Sequence, residues 1–327
     1  MSRSKISVIG AGNVGATLAQ FLAIRELGDV YLFDVVQGGV PEGKALDIQE
    51  GAPHWGGYDS NVVGFTTPGQ EAYKNLEGSD VVVVTAGLAR KPGMSRDDLL
   101  GKNVEIMLDV GRNIKKYAPD AVIVVVSNPA DIMAYAIQKI TGARPERIMG
   151  LGGSLDSARF RTFIAKELNV SVEDVNAFVI GGHGDDMVPF IRYSSVAGIP
   201  ITSLLSKEKI DAIVKRTRFG GGEIVDLLKT GSAYYAPGVS ILAMVESIVQ
   251  DKKRVIPCAA YLSGKHAEHY GGASGIFIGV PIKIGKEGVE EIYDIDFTQE
   301  ERELWNKTVQ SVKNNCQKVD SFLSGKL

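Results

Sequence analysis

Along the first half of the chain, short runs of β-branched and aliphatic residues alternate with longer stretches whose apolar residues recur at helical spacing. The runs at 6–9, 30–33, 81–84 and 122–126 read as strands, and 13–26 and 97–117 as helices. The runs at 81–84 and 122–126 are continuously apolar, as expected for strands covered on both faces. Periodicity alone does not separate them from buried helix. Flanking glycines and the polar stop at Ser127, Asn128 and Pro129 decide for strand. This alternation predicts an α/β unit, a parallel sheet covered by helices.

Beyond about residue 150 the rhythm changes. A helical pattern at 154–168 leads to a strand-like run at 175–180 and then a Gly-His-Gly loop. Helical patterns follow at 210–228 and 239–249, strand-like runs at 255–262 and 276–284, and Thr298-Gln299-Glu300-Glu301 opens the last helix as a capping box. The expected organisation is a first domain over 1–150 and an α+β second domain over 151–327. No repeat, low-complexity tract or long linker separates them, so they should pack closely. A ligand site is expected between them, at the carboxyl ends of the first-half strands.

Composition adds exclusions. The 327 residues are 44% apolar and 23% charged, ordinary values for a globular chain of two domains. Lys plus Arg number 36 against 39 Asp plus Glu, a net charge of -3 without acidic or basic blocks, which disfavours nucleic acid as partner. No apolar run approaches the roughly 18 to 20 residues of a bilayer span, and the first residues lead into a strand without a signal-peptide core. A cytoplasmic protein with no membrane partner is expected. Cys258 and Cys316 are the only cysteines and have no zinc-like spacing, so no metal is expected.

Between the first strand and helix stands Gly10-Ala11-Gly12-Asn13-Val14-Gly15, a Gly-x-Gly-x-x-Gly turn that lets a pyrophosphate approach a helix N-terminus. Asp34 ends the second strand 19 residues after Gly15, where a carboxylate accepts hydrogen bonds from ribose hydroxyls and repels a 2′-phosphate. With no Arg or Lys in the next several positions, the expected cofactor is NAD rather than NADP. A nicotinamide needs from the protein a proton donor and acceptor and a grip on the substrate. His183, one of four histidines, sits in Gly181-Gly182-His183-Gly184-Asp185, and Asp156 is a carboxylate able to fix its tautomer. Arg159 follows Asp156 by three residues on the same helix face, offering a bidentate fork for a carboxylate. The turn-rich segment 86–97, with Arg90, Lys91 and Arg96, reads as a lid over an anion, and Asn128 ends a strand in the same row.

Over essentially its whole length the sequence resembles the lactate and malate dehydrogenase family, in particular its lactate-dehydrogenase-like bacterial malate branch. The resemblance implies a Rossmann-type doubly wound sheet followed by an α+β catalytic domain. It makes His183 the proton carrier, Asp156 its orienting partner, and Arg159 the clamp on the substrate's C1 carboxylate. Arg96 would polarise the carbonyl and Asn128 would contact substrate and cofactor, with Asn103, Val126 and Ser127 as further cofactor contacts. Arg90 stands where lactate enzymes carry Gln and would bind the second carboxylate of a dicarboxylate. Leaving that charge unpaired in a dry site costs about 3 to 5 kcal/mol, roughly two to three and a half decades of discrimination. A homotetramer, or alternatively a homodimer, is implied.

Three segments depart from the pattern: 49–57, with His54 and Trp55; 265–274, with His266 and His269, taken as a surface loop and not a metal site; and Gly238-Val239 after Tyr234 to Pro237, near the nicotinamide. The rival readings are a lactate or other 2-hydroxy acid dehydrogenase, a metal-dependent NAD glycosidase, disfavoured by the absence of a mid-chain cysteine, and a non-catalytic NAD-binding regulator.

Overall fold

Two four-residue apolar runs, Val81–Val84 and Val122–Val125, lie side by side near the centre of a nine-stranded sheet, every residue buried. The computed structural model describes residues 3–36, 38–67, 70–88, 95–184 and 186–327. The first half runs β1 (Lys5–Ile9), α1 (Asn13–Ile24), β2 (Asp29–Asp34), α2 (Val40–Glu50), β3 (Val62–Thr66), α3 (Gln70–Tyr73), β4 (Val81–Val84), α4 (Arg96–Tyr117), β5 (Val122–Val125), α5 (Ala130–Thr141) and β6 (Ile148–Gly150). The second half begins with α6 (Gly153–Leu168), β7 (Val175–Asn176), β8 (Val179–Ile180), β9 (Val188–Pro189), β10 (Ser195–Val196), β11 (Ile199–Pro200) and α7 (Ile201–Leu204). It ends with α8 (Lys207–Leu228), α9 (Tyr235–Val249), β12 (Arg254–Tyr261), α10 (Gly264–His269), β13 (Phe277–Gly285), β14 (Gly288–Ile292) and α11 (Gln299–Leu323).

Six parallel strands in the order β6-β5-β4-β1-β2-β3 make the doubly wound half. Strand order reverses between β1 and β4, and the carboxyl ends beside that switch form the crevice in which such sheets take ligands. The sheet does not stop at residue 150. β12 adds antiparallel to β6, with Ala259 opposite Gly150, and β13 and β14 continue outward. An edge strand's unpaired amides are thereby covered by the second half. One buried core accordingly runs from Ile6 to Leu323, and a second gathers Phe160, Ile164, Val175, Ile201 and Ile213 around α6 and α8.

Several elements differ from the expected pattern. The run at 175–180 is broken into two two-residue strands, β7 and β8, which pair with different partners. The segment 265–274 is no free loop. It holds most of α10, where His266 Nδ1 lies 2.8 Å from Asp294 Oδ1 and His269 Nε2 lies 2.9 Å from the Ile295 carbonyl oxygen. Segment 49–57 contains the end of α2 and a short 3-10 turn, Ala52–His54. Helix α5, ten of whose residues from Ala130 to Thr141 are buried, has no counterpart among the helices expected from the sequence. Among the described residues no helix is long and apolar enough to cross a membrane.

Candidate active site

The β1–α1 turn is built from close backbone approach. A Cβ at Gly15 would fall 1.8 Å from the Gly10 carbonyl oxygen, whereas one at Gly12 would meet nothing within 4 Å. Gly15 thus packs helix against strand, and Gly12 leaves the α1 N-terminus open to an anion. At the end of β2, Asp34 Oδ2 accepts from the Ala11 amide at 2.6 Å and Oδ1 from the Val36 amide at 3.1 Å. Lys44, on α2, donates to the Ala11 carbonyl oxygen at 2.6 Å, a cation brought to this corner from 33 positions away.

A cavity of about 800 Å³ extends from Asp34, Val35 and Val36 past Gly12 to Thr85, Gly87 and Leu88. A second, of about 310 Å³, shares Gly12, Thr85, Gly87 and Leu88 and continues by Asn13, Val14, Val126, Ser127 and Asn128 to His183. Together they form one groove from the carboxylate at β2 to the imidazole. A helix terminus left open at Gly12, a carboxylate at one end and an imidazole at the other fit NAD. Ser127 braces the wall through the Ala86 carbonyl. Asn103 is buried, with its amide committed inside the protein: Oδ1 accepts from the Leu88 amide and Nδ2 donates to the Asn128 carbonyl oxygen, both at 2.8 Å. It ties the β4–α4 loop to the end of β5. Of the stretch Tyr234 to Val239, Tyr234 and Pro237 line the groove. Gly238 instead faces α1, where a Cβ would stand 3.0 Å from Thr17.

His183 is held by its loop from three sides. The Gly181 amide donates to the Gly279 carbonyl oxygen on β13 at 2.8 Å, Gly182 to Thr308 Oγ1 on α11 at 2.8 Å, and His183 to Asp131 Oδ2 on α5 at 2.8 Å. The turn needs φ +87° at Gly181, which a side chain resists. The imidazole Nδ1 lies 2.8 Å from Asp156 Oδ2, and Asp156 Oδ1 lies 3.3 Å from Arg159 Nη1, so one buried carboxylate serves both. The charge of Asp156 lifts the His183 imidazole above its ordinary value against the opposing pull of burial. With Nδ1 committed, Nε2 is the ring nitrogen left available to exchange a proton.

Arg159 fits against α8 because Gly220 and Gly221 carry no side chains; a Cβ at Gly220 would be 3.2 Å from Arg159 Cδ. Arg159 Nε is buried without a hydrogen-bond partner among the described residues, on the side of the guanidinium that packs against α8. Arg90 and the side chain of Arg96 lie outside the described residues; Arg96 itself opens α4 behind the Ser95 cap. Asp131 was not foreseen. An acidic residue in the first turn of a helix reads in sequence as a partner of the helix dipole, and nothing local connects it to His183.

Residues 4–150 match the family model described as lactate/malate dehydrogenase, NAD binding domain, and residues 153–323 match the lactate/malate dehydrogenase, alpha/beta C-terminal domain. The chain is 78% identical over 323 residues to a protein named malate dehydrogenase from Thermoplasma volcanium, covering 99% of this chain and 98% of that one. The apo structure of malate dehydrogenase from Picrophilus torridus superposes with a TM-score of 0.97 at 68% identity, covering 100% of both chains. The lactate dehydrogenase of Cryptosporidium parvum, in complex with lactic acid and NAD, gives 0.91 at 41% identity over 98% of this chain and 99% of that one. With its glycine turn, its paired histidine and aspartate, and both halves matched, the chain belongs to the lactate/malate dehydrogenase family.

Proposed function

We propose that the protein interconverts (S)-malate and oxaloacetate with NAD as cofactor, in keeping with the name malate dehydrogenase that similar relatives carry. The observation that carries this reading is the Asp156 carboxylate shared between His183 and Arg159 at the inner end of the groove. NAD, when bound there, supplies the hydride chemistry. Gly10, Ala11, Gly12, Asn13, Val14 and Gly15 would hold its pyrophosphate and Asp34 its adenosine ribose, with Val126, Ser127 and Asn128 along the wall. Arg159 takes the C1 carboxylate of the substrate in a two-pronged ion pair. Protonated His183 gives its Nε2 proton to the ketone oxygen of oxaloacetate, and neutral His183 accepts it back from the malate hydroxyl. Asp156 keeps the imidazole in the tautomer that permits this. Arg90 and Arg96 act from the lid, Arg90 on the second carboxylate.

The likeness to a lactate dehydrogenase structure makes lactate the reading to test against. Steady-state kcat/KM for oxaloacetate and pyruvate with NADH decides between them, and a preference for pyruvate would sink the malate assignment. Arg90→Gln should narrow the gap at least about tenfold, within the two decades or more that an unpaired charge is worth. The same reading divides the chain at 150/151 into cofactor and substrate domains and places it in the cytoplasm as a homotetramer, with a homodimer as the alternative. Exposed Tyr235, Val239 and Val255, beside a cavity of about 920 Å³, support self-association. Light scattering of the purified chain tests the assembly, and fractionation of cells tests the compartment.

A further inference from the structure

We propose that Asp131 is a positioning residue for the reaction, its buried carboxylate holding the His183 main chain and adding a second negative charge near the imidazole. This rests on the reading of His183 as proton carrier. Asp131 lies three residues beyond Asn128, in the first turn of α5, so the connection that carries the groove-lining Asn128 leads directly into the residue that grips the His183 loop across 52 positions. Its Oδ2 accepts from the His183 amide at 2.8 Å, while its Oδ1 is buried with no hydrogen-bond partner among the described residues. A buried carboxylate with a bare oxygen is costly to keep for structure alone. An amide acceptor was needed at this point, but the neighbouring Gly182 amide is served by the neutral hydroxyl of Thr308 at the same 2.8 Å. The feature left to explain is the charge.

The described ionisable groups around it are His183 from the loop, Asp156 from α6 and Cys316 from α11, with Arg159 acting on the same imidazole. Asp131 favours the imidazolium, as Asp156 does more strongly, and Arg159 opposes both. Burial pushes the Asp131 carboxyl up to about 6, so the group is charged at neutral pH and above, where His183 must still hold its proton to reduce a ketone.

Two variants of the intact enzyme separate the acceptor from the charge, with wild type, Asp156→Asn and His183→Asn alongside. Asp131→Ala removes both, and kcat should fall by about tenfold or more through misplacement of the imidazole, with NADH affinity unchanged. Asp131→Asn keeps an acceptor oxygen and removes the charge. Its kcat at low pH should stay close to wild type while the pH at which oxaloacetate reduction falls away moves downward, and the acid limb of malate oxidation moves with it. An Asp131→Asn profile that coincides with wild type would overturn the proposal even if Asp131→Ala is inactive or unfolded, because a merely structural role loses stability without moving the profile. Retained activity in His183→Asn would instead defeat the reading of His183 and leave a different signature, a wild-type profile without a histidine limb.

Discussion

Nδ1 of His183 lies 2.8 Å from Oδ2 of Asp156, a carboxylate with 1% of its side chain exposed. Because the carboxylate has little water to share its charge with, the pair sets both the tautomer of the imidazole and its affinity for the second proton.

The first consequence is a pH dependence of defined sign. Asp156 raises the His183 imidazole above its ordinary 6.5, so the protonated form that the proposed mechanism uses to reduce a ketone persists to higher pH than in a free histidine. kcat/KM for oxaloacetate should therefore decline as pH rises through a value above 6.5, and kcat/KM for malate should rise through the same value. Steady-state profiles in both directions check this; limbs centred below 6.5 would contradict the pairing.

Asp156→Asn keeps the shape and removes the charge from both neighbours. Turnover in oxaloacetate reduction is expected to fall by about 10² to 10⁴, the range of general acid–base catalysis. KM should rise as well, because the group 3.3 Å from Arg159 that orients it loses its charge. A variant with lowered kcat and unaltered KM would show that Arg159 is oriented by other contacts.

Gly220→Ala tests the floor under Arg159. In the middle of α8 an alanine favours the helix by about 1 kcal/mol, so Tm should hold or increase. Yet the new Cβ would stand 3.2 Å from Arg159 Cδ and press the guanidinium toward the substrate. Oxaloacetate KM is expected to rise severalfold with NADH binding unchanged. Equal KM in a stabilised variant would mean that the side chain has room to yield.

Asp131→Asn should reveal a cost of the wild-type residue. The buried carboxyl, pushed from 3.8 up to about 6, makes the folded chain bind more protons than the unfolded chain between those values. Its contribution to stability accordingly falls as pH rises through that window and reaches a penalty of about 3 kcal/mol above it. Scanning calorimetry should find the difference in Tm, variant minus wild type, more positive at pH 8 than at pH 4, and an equal offset at both would refute the buried charge.

Features written in short stretches were legible without coordinates. The alternation of β4, α4 and β5, the Gly10 to Gly15 turn, Asp34 at a strand end, and Asp156 and Arg159 three positions apart are all set by local spacing. His183 was legible as a candidate through its glycine neighbours alone. Residues whose meaning lies in a distant partner were not. Lys44 reads as one more surface cation until α2 brings it to Ala11, and nothing local in Asn103 announces that its amide joins Leu88 to Asn128. Gly220 reads as a flaw in a helix until Arg159 is seen lying against it.

What the sequence by itself determined is therefore the type of sheet, the cofactor turn and the chemical inventory of the site, because backbone geometry and residue periodicity act over a few positions. Only the tertiary structure decided that the sheet runs on through residue 150, that one carboxylate serves both His183 and Arg159, and that Asp131 holds the His183 loop. Each of those is a contact between chain segments far apart in sequence, selected by burial and hydrogen-bond satisfaction in the packed core, and no local pattern records which distant partner a buried polar group will find.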